Sequence, residues 1–309
     1  MLWDKQTPTK KISVIIPLYN GKKYLPGIMS MILRNLEEGN DLFEIELILI
    51  NDSPDEKISY NDIEPPNNVH VILLINQENR GIHYSRVRGL THASGEYIHF
   101  FDQDDRISDH FFESQIKNLR EKDDVIVSNG IAEYASYTKL LYRYWLMQWT
   151  VKFAWFYIKF DCRIISPGQC LIKKNSIPDV WKNNILKQNG ADDYFLWLIM
   201  LSQRKKIGIN REILYTHKYT STNASADKER MRGSVEEVLT IVEPVLGSSG
   251  VRTVRERIQE SNTNRITKTL VTFIENLNRN QSVRELETYG RENKNNCISF
   301  TSISSNTRK

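Results

Sequence analysis

Four short apolar segments, each ending in polar residues, constrain the fold of this 309-residue chain more than any other feature. The segments are 12–18, 44–50, 69–75 and 97–101. Near-continuous apolar runs of this length are typical of buried strands in a parallel sheet. Helical periodicity separates two pairs of them, from Leu25 to Gly39 and from His83 to His92. Strands that alternate with helices predict an α/β fold, with a mostly parallel sheet flanked by helices.

The fourth segment delivers three carboxylates, Asp102, Asp104 and Asp105, at its carboxyl end. In open α/β sheets, ligands bind beyond the carboxyl ends of the strands. Asp102 and Asp104 are two residues apart, so both side chains can leave one side of an extended segment. Two convergent carboxylates repel each other unless a cation lies between them, and carboxylate oxygens suit Mg²⁺ or Mn²⁺. The sequence therefore predicts a cation site here, and such a cation would hold a diphosphate.

Charge and cysteine content narrow the class of protein. The 42 basic and 38 acidic residues give a net charge of +4, and no basic block occurs, so we expect no nucleic-acid partner. Cys162, Cys170 and Cys297 are odd in number and lack metal-type spacing, which predicts reduced thiols. The sequence contains neither an apolar leader nor a run of 18 apolar residues, so we expect a soluble, cytoplasmic protein.

Four polar motifs follow one another at the ends of the predicted strands. They are Ser13-Val14-Ile15-Ile16-Pro17-Leu18-Tyr19-Asn20, Asn51-Asp52-Ser53, Asn79-Arg80-Gly81 with Arg86, and Asp102-Gln103-Asp104-Asp105. In order and spacing, over roughly residues 10–110, this set resembles glycosyltransferase family 2. The resemblance implies the GT-A fold, a Rossmann-like α/β domain that binds a nucleotide-sugar. It also implies that the Asp-x-Asp element holds Mn²⁺ or Mg²⁺.

The same resemblance implies a binding site for the donor nucleotide. Its residues would be Pro17, Tyr19, Asn20, Asp52, Asn79, Gly81, Arg86, Asp102 and Gln103. Asp52 would accept a hydrogen bond from the uracil N–H, which suits an acceptor-only carboxylate; the alternative is a turn cap before Ser53. Arg86 is a candidate partner for phosphate or carboxylate. Asp102 would contact the ribose, and Asp104 would ligate the metal that bridges both phosphates.

Two further sites lie later in the chain. Asp192 and Asp193 open an apolar helix, where carboxylates can simply cap the helix. The resemblance implies instead that this pair, usually Glu-Asp, supplies the catalytic base, and the register favours Asp193 over Asp192. His217 follows a strand predicted at 207–215. The resemblance implies that it ligates the metal, and the alternative is a structural histidine.

Residues 142–160 form the least ordinary stretch of the sequence. At 100° per residue, one stripe contains only aromatic side chains, namely Tyr142, Trp145, Trp149, Phe153, Phe156 and Phe160. Aliphatic side chains lie opposite, so the stretch predicts a helix, or two shorter ones, buried between the core and the C-terminal part. The alternative is that the aromatic face contacts a membrane surface, such as the inner face of the plasma membrane, or forms a homodimer. We assign 1–226 to the catalytic domain and 227–309 to a helical extension with a loose tail.

These observations predict an inverting, metal-dependent glycosyltransferase, which moves a sugar from a UDP-sugar to a hydroxyl of a glycan or glycoprotein. A dinucleotide-dependent oxidoreductase would need a Gly-x-Gly-x-x-Gly turn after the first strand, where this chain has Gly21 alone. The remaining alternative is a catalytically inactive relative that binds glycans or acts as a scaffold.

Overall fold

The parallel half of the sheet forms where the sequence predicts it. The computed structural model describes residues 10–39, 42–66, 69–219 and 228–261. Its first four strands are β1 (Lys10–Leu18), β2 (Phe43–Asn51), β3 (His70–Ile75) and β4 (Tyr97–Phe100). They lie side by side in the order β3-β2-β1-β4, and every neighbouring pair is parallel. Helices α1 (Leu25–Gly39) and α2 (Ile82–His92) form the crossovers from β1 to β2 and from β3 to β4.

The other half of the sheet is mixed. Its strands are β5 (Arg106–Ile107), β6 (Val125–Glu133), β7 (Thr138–Leu140), β8 (Cys170–Lys173) and β9 (Ile207–Lys218). Strand β8 lies antiparallel between β4 and β6, and β9 runs parallel to β6. Since β4 and β6 both oppose β8, they run in the same direction. The carboxyl ends of the first four strands and of β6 and β9 therefore lie at one edge of the sheet.

Helix α7 (Asp192–Ser202) is buried almost all round, and this fixes the position of its acidic N-terminus. The remaining helices are α3 (Phe111–Asn118), α4 (Trp145–Trp149), α5 (Ala154–Ile158), α6 (Asp179–Asn183), α7 (Asp192–Ser202) and α8 (Lys228–Ser261). Every residue from Tyr194 to Leu201 is buried. A helix that is apolar on all sides needs neighbours on all sides, and α5, α6 and α8 supply them.

The aromatic stretch does not form one helix, so the prediction of a single stripe is wrong and the alternative of two shorter helices holds. The predicted burial is also wrong for Trp145, Trp149 and Phe153, whose side chains are exposed. A helical turn at 150–152 follows α4, and Phe153 then adopts an extended backbone (φ −106°, ψ 113°) before α5 begins. The Gln148 side chain is buried and donates to the carbonyls of Val127 and Asn210, which holds α4 against the sheet. Because of this break, α5 packs against the core with the side that carries Tyr157, which is not the side that the single stripe predicted.

The C-terminal helix shares the core of α7. The buried valine and leucine side chains of α8 are Val235, Val238, Leu239, Val242, Val251 and Val254. The helix is interrupted at Gly247, where φ is 72°. The boundary that we assign at residue 226, the tail from 262 and Cys297 lie outside the described residues, so the domain division stays a prediction. Cys162 and Cys170 are free thiols.

None of the helices in the described ranges is long and apolar enough to cross a membrane.

A buried carboxylate joins β1, β2 and the segment before β4. Glu46 in β2 is 2% exposed, accepts hydrogen bonds from the hydroxyls of Ser13 and Ser94 at 2.6 Å, and also accepts from the Ser94 backbone N–H. Burial alone would raise the pKa of Glu46, but these hydrogen bonds and the charge of Lys11 lower it below its ordinary value. The charged form therefore stabilises the folded state.

We expect Glu46→Gln to lower the free energy of unfolding by about 1–3 kcal/mol at pH 7, because an amide cannot accept all three hydrogen bonds. Since the pKa of Glu46 is lowered on folding, its contribution is complete above the pKa of the unfolded state and is lost as the pH falls through the folded value. Urea unfolding at several pH values should show the two proteins converging in acid. Glu44→Gln, an exposed change in the same strand, is the control. A constant difference across pH would contradict the assignment.

Candidate active site

Asp52, which follows β2, organises the loop that leads into α2. Its carboxylate accepts hydrogen bonds from the Asn76 side chain at 2.6 Å and from the backbone N–H groups of Arg80 and Gly81 at 2.8 Å. Gly81 has φ 85°, a conformation that favours glycine. The Gly81 N–H also donates a hydrogen bond to the Asn79 side chain. Both Asp52 oxygens thus have partners inside the protein. Its role towards a uracil ring stays a prediction.

The loop after β1 is joined to the loop after β4. Gln103 accepts a hydrogen bond from the Tyr19 N–H at 3.0 Å and donates one to the Tyr19 carbonyl at 2.9 Å. Tyr19 itself is 55% exposed, and Asn20 adopts a left-handed backbone (φ 47°) and donates its N–H to Ser53. Pro17 is the penultimate residue of β1 and pairs with Ile50. These predicted donor residues therefore lie together at the carboxyl edge.

Arg86 gathers three carboxylates from two parts of the chain. One terminal nitrogen donates to Asp192 at 2.6 Å and also to Asp193, and the other donates to Asp102 at 2.6 Å. Arg86 is 1% exposed and Asp192 is buried, whereas about a quarter of the Asp193 side chain is exposed (26%). The sequence predicted all four residues as site residues, and the structure brings them into contact. Contact of Arg86 with a donor phosphate stays a prediction.

The cluster carries more negative than positive charge. Burial raises the pKa of Asp193, and the charges of Asp192 and Asp102 raise it further against the opposing effect of Arg86. The pKa of Asp102 is also raised, with burial as the largest cause. A carboxylate with a raised pKa is a stronger base than an ordinary aspartate, and Asp193 is the member of the acidic pair that solvent reaches.

Asp105, to which the sequence assigned no role, is the partner of His217. The Asp105 side chain is buried and accepts from Tyr215, from the Lys218 backbone N–H and from Nδ1 of His217, which lies 3.1 Å from both oxygens. A carboxylate only accepts, so Nδ1 carries the proton and Nε2 is the available nitrogen. Burial would lower the pKa of His217, but Asp105 and the other two aspartates raise it above its ordinary value.

The side chains of Asp104 and His217 suit a hard divalent cation as ligands, although these two residues alone do not complete its coordination. No cationic group of the described chain pairs with Asp104, and burial and the charges of Asp105 and Asp102 raise the pKa of its carboxyl group. Nε2 of His217 is oriented through Asp105, as in carboxylate–histidine metal sites. The described residues include no group of three or more His, Cys, Asp or Glu side chains that could hold a metal. Asp104 and His217 would thus leave positions for water and phosphate oxygens.

Sequence analysis missed Asn189, which ties the start of α2 to the loop before α7. Its side-chain oxygen accepts from the Ile82 N–H at 3.0 Å, and a Cβ at Gly81 would lie 2.3 Å from that oxygen. The only signal for it is Asn189-Gly190 just before the acidic pair. The contact spans 107 residues, so local patterns could not predict it.

Comparison with known proteins decides the family. The profile of "Glycosyl transferase family 2" matches residues 13–181, which is more than half of the chain. The chain belongs to glycosyl transferase family 2. One relative of this family 2 chain is "Glycosyltransferase GlyA" of Streptococcus pneumoniae, 33% identical over 120 residues, which are 38% of the chain and 16% of GlyA. The aligned region of the chain thus spans well under half of that protein's length.

Two solved structures share the GT-A fold with the family 2 chain. The S. aureus TarS fragment 1–349 in complex with UDP-GlcNAc superposes with a TM-score of 0.56 at 13% identity, covering 84% of this chain and 77% of TarS 1–349. The mannosyltransferase PcManGT of Pyrobaculum calidifontis, in complex with GDP-Man and Mn²⁺, gives 0.55 at 12% identity, with 91% and 84% covered. The mostly parallel α/β sheet predicted from the sequence is confirmed as GT-A.

We expect Arg86→Met to lower the free energy of unfolding at pH 7 by about 3–5 kcal/mol, because it leaves three carboxylates without their cation. The control is Arg34→Met, which breaks an exposed pair with Asp109 and should cost about 1 kcal/mol or less. Urea unfolding of both variants checks the difference. Equal effects would contradict the view that the family 2 site is held together by Arg86.

Proposed function

We propose that this chain is an inverting glycosyltransferase, which transfers a sugar from a UDP-sugar to a hydroxyl of a glycan or glycoprotein with the help of Mn²⁺ or Mg²⁺. The single observation that carries the proposal is the position of Asp193. Its partly exposed carboxylate lies at the carboxyl edge of the sheet and is joined through Arg86 to Asp102. Asp102 belongs to the acidic loop that also contains Asp104. A base and a diphosphate site must be neighbours for the transfer.

The chemistry assigned to Asp193 is proton removal. Its carboxylate takes the proton of the acceptor hydroxyl while that oxygen forms a bond to the anomeric carbon. The bond from the anomeric carbon to the diphosphate oxygen breaks, and UDP leaves with the electron pair. Attack occurs on the face opposite the leaving group, so the configuration inverts. General-base catalysis of this kind is typically worth roughly 10²–10⁴-fold in rate.

Asp104 and His217 are the residues that would hold the metal ion. When bound, the ion would neutralise negative charge on the departing diphosphate. Asp105 orients His217 and keeps its Nδ1 protonated, so that Nε2 faces away from the buried carboxylate. Asp102 is engaged by Arg86 on one oxygen, which leaves its other oxygen for a ribose hydroxyl.

The assignment of the donor base depends on Asp52 and on the solved relatives. TarS binds UDP-GlcNAc and PcManGT binds GDP-Man, so the fold accommodates both nucleotides. We assign UDP, as the resemblance in the sequence implies, with Asp52 after β2 as the acceptor for the imide N–H of uracil. A panel of UDP-sugars and GDP-mannose, read by thermal shift, tests this choice. A donor at about 100 times its Kd should add roughly 2.7 kcal/mol of stability.

A non-catalytic scaffold is the competing function. It has no use for a base with a raised pKa, whereas this chain keeps both members of the acidic pair and the Asp-x-Asp element. UDP release from the donor panel, with and without Mn²⁺, separates the two functions. Donor binding with no turnover on any acceptor would favour the scaffold.

We expect Asp193→Asn to retain UDP affinity and to lose turnover by about 10²–10⁴-fold, because the amide still accepts from Arg86 but takes no proton. UDP release and calorimetric UDP binding measure the two effects separately. The matched variant is Asp192→Asn, at the buried neighbour, which should retain more activity. If only Asp192→Asn is inactive, the two aspartates exchange roles; if both are active, the base lies elsewhere.

We expect Asp104→Asn to abolish the part of the UDP affinity that depends on Mn²⁺, since an amide oxygen is a weaker ligand than a carboxylate. The free energy of unfolding should barely change, because no other described side chain pairs with Asp104. UDP titrations with Mn²⁺ and with EDTA provide the measurement, and Asp109→Asn, in the following loop, is the control. An Mn²⁺ effect of the same size in Asp104→Asn would remove this residue from the metal site.

A further inference from the structure

A cavity of about 570 Å³ with a basic rim lies at the amino ends of β6 and β9, away from the candidate active site. Two loops and the helical turn at 150–152 provide its cationic side chains. We call it the basic pocket, and its basic residues are Arg120, Lys122, Lys152, Arg204, Lys205 and Lys206. Five of the six are exposed, and Lys205 is half-buried.

The cations of the basic pocket are largely uncompensated. Lys205 alone among them has a carboxylate within ion-pair distance in the described chain, Asp124 at 4.0 Å. Two of the three nearby acids accept backbone hydrogen bonds: Asp123 from Arg120, and Asp124 from Lys206. The third, Glu121, is exposed. Partial burial and the charges of Arg120 and Lys122 lower the pKa of Lys152 below its ordinary value, despite Asp123.

One of these cations occupies a backbone position that favours glycine. Arg204 has φ 59° at the turn that ends α7, where its N–H donates to the Leu201 carbonyl and the next N–H donates to that of Met200. Helices usually end in this way with glycine at the left-handed residue. An L side chain costs about 1–2 kcal/mol there. A strained backbone position that carries a charge beside a pocket favours a functional explanation over one from folding alone.

Exposed aromatic rings adjoin the pocket. Lys152 and Ala154 line it, and Phe153 between them is 37% exposed. The Phe153 ring packs against Trp149, with ring centroids 4.5 Å apart, and Trp149 is 44% exposed. Trp145, one helical turn before Trp149, is 48% exposed. We call Trp145, Trp149 and Phe153 the aromatic ridge.

The register of the sheet separates this surface from the candidate active site. Ile98 of β4 and Val125 of β6 both pair with Ile172, so they lie at the same level. Asp102 lies four residues beyond that level and Asp123 two residues before it. At about 3.3 Å per residue, the two sites are about 20 Å apart along the strands.

We propose that the basic pocket and the aromatic ridge together form a docking surface for the anionic phospholipid headgroups of a membrane. Tryptophan and phenylalanine side chains insert at the level of the headgroups, and neighbouring Lys and Arg side chains bind the phosphates. The surface has both parts, joined by the single segment 149–154. Docking through it leaves the carboxyl edge, with Asp193, facing away from the bilayer.

Charge complementarity favours a lipid surface over a second copy of the chain. Two copies that met through this face would bring two sets of six cations together, which opposes association. A single-stranded nucleic acid would need rings that stack between bases along a groove, whereas Trp149 and Phe153 pack on each other edge to face.

The test is co-flotation of the full chain with vesicles of phosphatidylcholine alone and of phosphatidylcholine mixed with an equal amount of phosphatidylglycerol. We expect binding to the mixed vesicles, weakened by salt, and little binding to phosphatidylcholine alone. Lys152→Gln with Arg204→Gly and Lys206→Gln should lower the partition coefficient on the order of 100-fold. Glycine relaxes the backbone at residue 204, so this variant should melt at or above the wild-type temperature.

The matched control is Lys57→Gln with Lys139→Gln and Lys187→Gln, which removes the same net charge from exposed positions elsewhere. It should lower binding far less than the pocket variant. Trp149→Gln with Phe153→Gln should also release the chain from mixed vesicles while leaving its melting temperature unchanged. The UDP affinity of each variant, measured for a site about 20 Å away, reports separately on the proposed transferase function.

Four results would overturn the proposal. They are equal binding to both vesicle types, equal loss in the pocket variant and its control, a wild-type dimer that the ridge variant converts to a monomer, and tighter binding of a single-stranded RNA than of the mixed vesicles at the same salt concentration.

Discussion

The contact of one buried guanidinium with three carboxylates is the interaction on which the candidate site depends. Burying Arg86 is costly unless its charge is paired, and Asp102, Asp192 and Asp193 supply that pairing. The four residues come from three parts of the fold: α2 carries the arginine, the loop after β4 carries one aspartate, and α7 carries the other two. The interaction therefore joins the parallel half of the sheet to the helix packed beside the mixed half. It also leaves excess negative charge where a divalent cation and a proton acceptor are proposed.

Strand direction explains why these residues can meet at all. If β8 were parallel to β4 and still antiparallel to β6, then β6 and β9 would run opposite to β4. His217 would then lie at the amino edge of the first four strands. The antiparallel insertion of β8 restores the common direction, so β9 ends beside the acidic loop and His217 reaches Asp105. The same geometry sends the starts of β6 and β9, with their basic loops, to the opposite edge. One topological feature thus separates the proposed chemistry from the proposed membrane contact.

Much of this arrangement could be predicted from local patterns. The first four strands and their helices agree within two residues, because apolar runs and polar strand ends are short-range signals. The acidic start of α7 was visible for the same reason. The partner of His217 was not, because Asp105 lies 112 residues away and sequence alone does not distinguish it from Asp104.

The break at Phe153 escaped prediction for a different reason. Periodicity assumes a continuous helix, whereas here the core binds Gln148 on one side and Tyr157 on another, and the backbone bends to satisfy both. Tertiary contacts overrode the local pattern. The roles of the site residues in binding and transfer stay predictions.

The spacing of the arginine cluster along the chain has a consequence for folding. Strands β1 to β4 are complete by residue 100, but two partners of Arg86 lie 106 and 107 residues after Arg86 in the sequence. Loop closure over such distances is slow compared with local pairing. Until α7 docks, Arg86 has Asp102 as its one carboxylate partner, and the apolar side chains that pack against α7 remain exposed. The docking of α7 is therefore the step that completes both the core and the arginine cluster.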